Sequence, residues 1–143
     1  MSEQLYYESV DIDSHVGSLR KHPTSRQLVK WAGAVDDYYE AHYDKDFALK
    51  QGLPGVIVFG MQGVAFLGQL MTDWIGDRGT LKKLNCRYKG LFFPDEDLLC
   101  KGRVKNKSVE ENEYRVECEI WLENPRGEKV IHGSAMVALP SRG

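Results

Sequence analysis

The run from Gly60 to Ile75 constrains the fold more than any other stretch of this chain. Met61, Val64, Ala65, Phe66, Leu67, Leu70, Met71, Trp74 and Ile75 place apolar side chains on nearly every face of a helix, and Gly76 ends it. The run is too short for a membrane span and contains Gln62, Gln69, Thr72 and Asp73. A helix apolar all round in a water-soluble protein is one that the remaining chain surrounds. Gly63 and Gly68 would let a neighbouring backbone approach it closely.

The rest of the chain supplies the wrapping. Tyr114, Val116, Cys118, Ile120 and Leu122 alternate with polar residues, and Asn124-Pro125-Arg126-Gly127 suits a type I turn. Further strands are expected over Lys129–Leu139, Leu98–Lys107 and Thr80–Phe92, with Glu110-Glu111-Asn112-Glu113 as a hairpin tip. Short connections make them antiparallel neighbours. Before the central helix, Thr24 and Gln27 fit a capping box ahead of Leu28, Trp31, Ala32 and Val35, and Asp44 fits the N-cap of a short helix ending near Lys50 or Gln51. The expected class is α+β: one domain over residues 1–143, with a long central helix wrapped by an antiparallel sheet. At 143 residues the chain needs neither metal nor disulfide to stabilise its core.

Composition excludes several function classes. A formal charge of −2 gives no electrostatic reason to bind nucleic acid or an anionic membrane. Cys86, Cys100 and Cys118 are widely spaced in strand-like segments and read as small buried hydrophobes, so no metal site is expected. The start of the chain lacks the pattern of a signal peptide, which points to the cytoplasm.

Reactive side chains concentrate between Asp36 and Asp44. Asp37 and His42 are five residues apart, about 140° around a helix, and meet only if the chain bends between them. Spacing alone leaves a solvated acidic helix end as the alternative. The second candidate is Gly55–Met61, a short apolar strand feeding into the buried helix. Free N–H groups near Gly60 and Met61 suit a developing oxyanion, and Gly60 lets a ligand carbonyl approach. Tight strand-to-helix packing explains Gly60 equally well.

Together these segments resemble the MaoC-like dehydratases and (R)-specific enoyl-CoA hydratases. That family's Ser-Gly-Asp-x-Asn-Pro-aliphatic-His block, followed after five residues by a small one, is similar to Val35-Asp36-Asp37-Tyr38-Tyr39-Glu40-Ala41-His42 and Ala48 here. Its glycine block is similar to Pro54-Gly55-Val56-Ile57-Val58-Phe59-Gly60-Met61, and its sheet motifs to Leu84–Tyr88 and Phe93-Pro94. The resemblance implies a hotdog fold, usually dimeric, hence a homodimer or higher homo-oligomer. It also implies a hydro-lyase of fatty acyl metabolism, which hydrates a trans-2-enoyl thioester to the (R)-3-hydroxyacyl thioester or runs the reverse dehydration. On it, Asp37 and His42 form the catalytic dyad and the Gly60 N–H holds the thioester carbonyl. Tyr39, Phe59 and Met61 adjoin the substrate pocket. No cofactor is implied, coenzyme A entering only as part of the substrate. Tyr39 and Glu40 replace the family's Asn-Pro, and Phe59 replaces a histidine, which points to a substrate other than a plain straight-chain enoyl-CoA. Two further classes stay open: a non-catalytic subunit supporting an active partner chain, and a hotdog acyl-CoA thioesterase.

Overall fold

Antiparallel pairing organises the second half of the chain. The computed structural model describes residues 3–143. In it β2 (Thr80–Tyr88), β3 (Leu98–Glu110), β4 (Glu113–Glu123) and β5 (Lys129–Leu139) join a short β1 (Leu19–Lys21) in one curled sheet of order β1-β3-β4-β5-β2. The β3–β4 hairpin closes through Glu111 and Asn112, both at positive φ (52° and 65°), the conformation a two-residue turn requires. The β4–β5 turn is held from its own sequence: the Asn124 carbonyl accepts from the Gly127 N–H, and Asn124 Oδ1 from the Arg126 and Glu128 N–H groups.

Alternation then decides which residues face inward. Cys100 and Val104 of β3, Val116, Cys118, Ile120 and Leu122 of β4, and Ile131, Ala135, Val137 and Leu139 of β5 form one apolar face. Onto it packs α3 (Gly60–Ile75) through Leu67, Leu70, Met71 and Ile75. Each such leucine or isoleucine contributes about 1.5–3 kcal/mol by leaving water. A Cβ at Gly63 would lie 2.6 Å from Ile131 Cδ1 and from Phe92 Cζ, so the close neighbours there are side chains and not the expected backbone. Gly68 meets nothing closer than 3.8 Å, and its expected role in close packing is absent. Ahead of α3 in the chain come α1 (Ser25–Val35), with both capping-box hydrogen bonds formed by Thr24 and Gln27, and α2 (Lys45–Lys50), capped by the Asp44 side chain. This is the hotdog architecture.

Four details differ from the sequence expectations. The strand from Thr80 ends at Tyr88, because the chain turns away at Lys89 and Gly90 and Phe92 gives its carbonyl to the Val58 N–H. Residues 55–59 join no sheet, since the Ile57 and Val58 N–H groups donate to the carbonyls of Ala41, in a 3₁₀ turn, and of Phe92. The three-residue β1 carries no alternation long enough to read. Finally, α3 is not enclosed on every side: Met61 is 62% exposed, and Ala65, Gln69 and Thr72 continue that open stripe at helical spacing. No helix among the described residues is long and apolar enough to cross a membrane.

Candidate active site

The bend that the Asp37–His42 spacing demands begins at Asp36. This residue takes the left-handed conformation (φ 56°, ψ 39°) that aspartate tolerates better than most side chains. The N–H groups of Asp36 and Asp37 both reach back to the Ala32 carbonyl, closing α1 as a Schellman-type end. The chain then runs extended through Tyr39 and folds into a 3₁₀ turn over Glu40–His42. Neither glycine nor proline is needed, because one left-handed aspartate and one tight turn together reverse the direction.

His42 is fixed from three sides. Its Nδ1 lies 2.8 Å from the Ile57 carbonyl, while the Ile57 N–H donates to the neighbouring Ala41 carbonyl. A carbonyl can only accept, so Nδ1 carries a proton, and in the neutral ring the lone pair is therefore on Nε2. The imidazole lies flat on Phe59, with ring centres 3.7 Å apart and planes inclined by 18°. Tyr39 meets it edge-on at 5.9 Å and leans on Phe47 behind. Asp37 is exposed, and its Oδ1 accepts from the Tyr39 N–H at 3.2 Å.

These residues open onto a cleft of about 730 Å³ lined by Trp31, Val35, Asp37, His42, Phe59, Gly60, Met61 and Tyr88. Asp37 and His42, the two ionisable groups expected to act together, thus share one cavity with the first turn of α3. Phe59 sits at the N-cap of that helix and offers no side-chain acceptor. The leading N–H groups at Gly60 and Met61 therefore precede the first intrahelical bond, which Gly63 donates to the Phe59 carbonyl. The arrangement sets a proton acceptor, a carboxylate and a cluster of N–H donors around one largely apolar space.

Of the residues expected at the pocket, Phe59 and Met61 line it. Tyr39 does not: it is half exposed and touches the cleft only through the His42 ring it braces. Trp31, Val35 and Tyr88 were not anticipated there. Trp31 and Val35 belong to the apolar spacing of α1 and so read as core, while Tyr88 reads as one more strand residue. Arg87 and Lys89, neighbours of Tyr88 in sequence, line a separate groove on the outer face with His132 and Ser134. Among the described residues, no three His, Cys, Asp or Glu side chains gather as a metal site. Cys100 and Cys118 are buried in the sheet, and desolvation pushes each thiol up to about 12, so neither supplies a thiolate at neutral pH.

Comparison with known proteins agrees with this fold. No curated protein matches the chain. Solved structures similar to it include an (R)-hydratase from A. caviae involved in PHA biosynthesis, at 20% identity and a TM-score of 0.82 over 93% of this chain and 99% of that one. The R-hydratase PhaJ1 from Pseudomonas aeruginosa is similar at 19% identity and a TM-score of 0.87, covering 97% of this chain and 88% of the other. The ChsH1-ChsH2 complex from Mycobacterium tuberculosis is similar at 18% identity and 0.78, covering 90% and 98%. At such identities the likeness speaks for the fold. The family model for the MaoC like domain matches residues 9–122, which include α1, the Asp37–His42 corner, α3 and most of the sheet. The chain belongs to the MaoC-like dehydratase domain family.

Proposed function

We propose that this protein is a hydro-lyase that adds water across the double bond of a trans-2-enoyl thioester, giving the (R)-3-hydroxyacyl thioester, or removes it in reverse. The observation that carries the reading is the single cleft shared by Asp37, His42 and the uncapped first turn of α3. In the forward direction His42 Nε2 takes one proton from water as the water oxygen bonds to C3. The C2–C3 π pair shifts onto the thioester oxygen, beside the Gly60 N–H. Asp37 accepts a hydrogen bond from the second O–H, which stays on the oxygen as the product hydroxyl, and so orients the water and offsets the charge on the imidazolium. As the enolate collapses, His42 returns its proton to C2, so one water is added and no electrons are exchanged. A positioned acid–base pair and donors aimed at a developing oxyanion are what this reaction needs. The acyl chain lies against Trp31, Val35 and Met61, and coenzyme A enters only as the thiol portion of a substrate.

The working form is a homodimer. Met61 and Tyr88 line the cleft and are exposed, and the exposed stripe of α3 begins at the same Met61, so a second copy packed on that stripe would adjoin the cleft.

The test is loss of the enoyl-thioester ultraviolet absorbance with the purified protein, across short, long and branched acyl chains. Asp37→Asn and His42→Ala should each lower turnover by about 10²–10⁴-fold with the fold intact. Near-normal turnover in both variants removes the dyad. Release of free thiol from saturated acyl thioesters would instead identify a thioesterase, and inertness until a partner chain is added a supporting subunit.

A further inference from the structure

Tyr88 is the last residue of β2 and half exposed, yet its ring does not simply extend into solvent. It lies across Gly60. A Cβ built on Gly60 would sit 2.8 Å from Tyr88 Cζ and 3.1 Å from its hydroxyl oxygen. The phenol is therefore held against the residue whose N–H begins α3. Among the described residues its one acceptor is Met61 Sδ at 3.5 Å, a weak partner that leaves the O–H largely unspent. A phenylalanine would fill the same space on Gly60 equally well. The hydroxyl is the part that packing does not explain.

We propose that the Tyr88 hydroxyl is a second hydrogen-bond donor to the thioester oxygen of the substrate, forming with the first-turn N–H groups of α3 a two-sided oxyanion site. The inference rests on the hydratase reading and adds to it a residue that touches the reacting atoms. When a thioester carbonyl enters beside Gly60, Tyr88 turns its O–H from Met61 sulfur to the carbonyl oxygen, a far better acceptor. The bond strengthens as negative charge gathers on that oxygen, so it acts on the transition state more than on binding. Desolvation, with Cys86 close by, raises the phenol pKa and keeps the hydroxyl protonated as a donor. The other titratable groups lining this cleft are Asp37 and His42.

The test is Tyr88→Phe, which keeps the ring on Gly60. On an enoyl thioester that the wild type hydrates, kcat should fall by about 10–100-fold while KM and the unfolding temperature stay unchanged. A fluorinated tyrosine incorporated at position 88 lowers the phenol pKa and should move the alkaline limb of kcat to lower pH by the same amount, which a packing role would not do. Tyr88→Phe turnover within twofold of wild type overturns the proposal, as does an alkaline limb that ignores fluorination. If Asp37→Asn is inactive while Tyr88→Phe is not, only the role of Tyr88 fails. Wild-type inertness on every enoyl thioester overturns the hydratase reading and this proposal together.

Discussion

Gln62 shows how one side chain can carry an unresolved cost. It is 5% exposed on the first turn of α3, and its Oε1 is buried with no hydrogen-bond partner among the described residues. Such an orphan costs about 1–3 kcal/mol, whereas an apolar residue of similar volume carries no such penalty. Gln62→Leu should therefore raise stability by about 1 kcal/mol, a shift of roughly 3 °C in Tm for a domain of this size. Thermal unfolding checks this, and a lowered Tm would mean that water or a partner satisfies the amide. Gln62 is not a cleft residue. It borders a neighbouring groove with Trp31 and Phe66, so hydration activity should persist. Nothing in the sequence marks this position as strained, because a glutamine in an apolar helix is ordinarily assigned to a solvated face.

Among the elements, the end of α1 has the most direct consequence for chemistry. The left-handed Asp36 costs about 1–2 kcal/mol relative to a right-handed residue and is held by two N–H bonds to one carbonyl. Asp36→Gly should relieve this strain and leave turnover unchanged. Asp36→Val, whose branched Cβ resists positive φ, should destabilise by about 1–2 kcal/mol and lower kcat by displacing Asp37. Denaturant unfolding together with the absorbance assay separates the two effects, and a Val variant as stable and active as wild type would contradict the account. The capping box, the Asp44 cap and the Gly60–Ile75 helix were all legible, since each depends on residues within a few positions. The turn that brings Asp37 and His42 into one cleft was not. It uses an aspartate where a glycine would have announced it, and it is stabilised by the Ile57 carbonyl fifteen residues away.

Over the whole molecule, the unequal sheet edges predict association. β1 closes one edge with three residues, whereas β2 leaves nine at the other, with the outer N–H and C=O groups free of ladder partners among the described residues. An open edge of that length invites pairing, and the exposed Met61–Ala65–Gln69–Thr72 stripe lies on the same chain's uncovered helix face. Light scattering at micromolar concentration should report twice the 16.3 kDa chain mass. Ala65→Arg, placing a charge in the middle of the stripe, should yield monomers with reduced hydration activity. A fully active wild-type monomer would contradict the association.

The features legible in the chain before folding were local or periodic: the extent of α3 and its end at Gly76, the caps of α1 and α2, the alternation of β4 and β5, and their turn chemistry. These follow from side-chain period and from hydrogen bonds between residues close in the chain. The resemblance also marked Asp37, His42 and Gly60 as a set. Packing between distant segments set Phe59 flat beneath the His42 ring, Tyr39 against that ring from outside the cleft, and Trp31, Val35 and Tyr88 along the cleft wall. It also left one face of α3 uncovered where hydrophobicity alone had enclosed it. The physical reason is that apolar character states only that a side chain leaves water; which surface receives it is fixed when distant segments pack together.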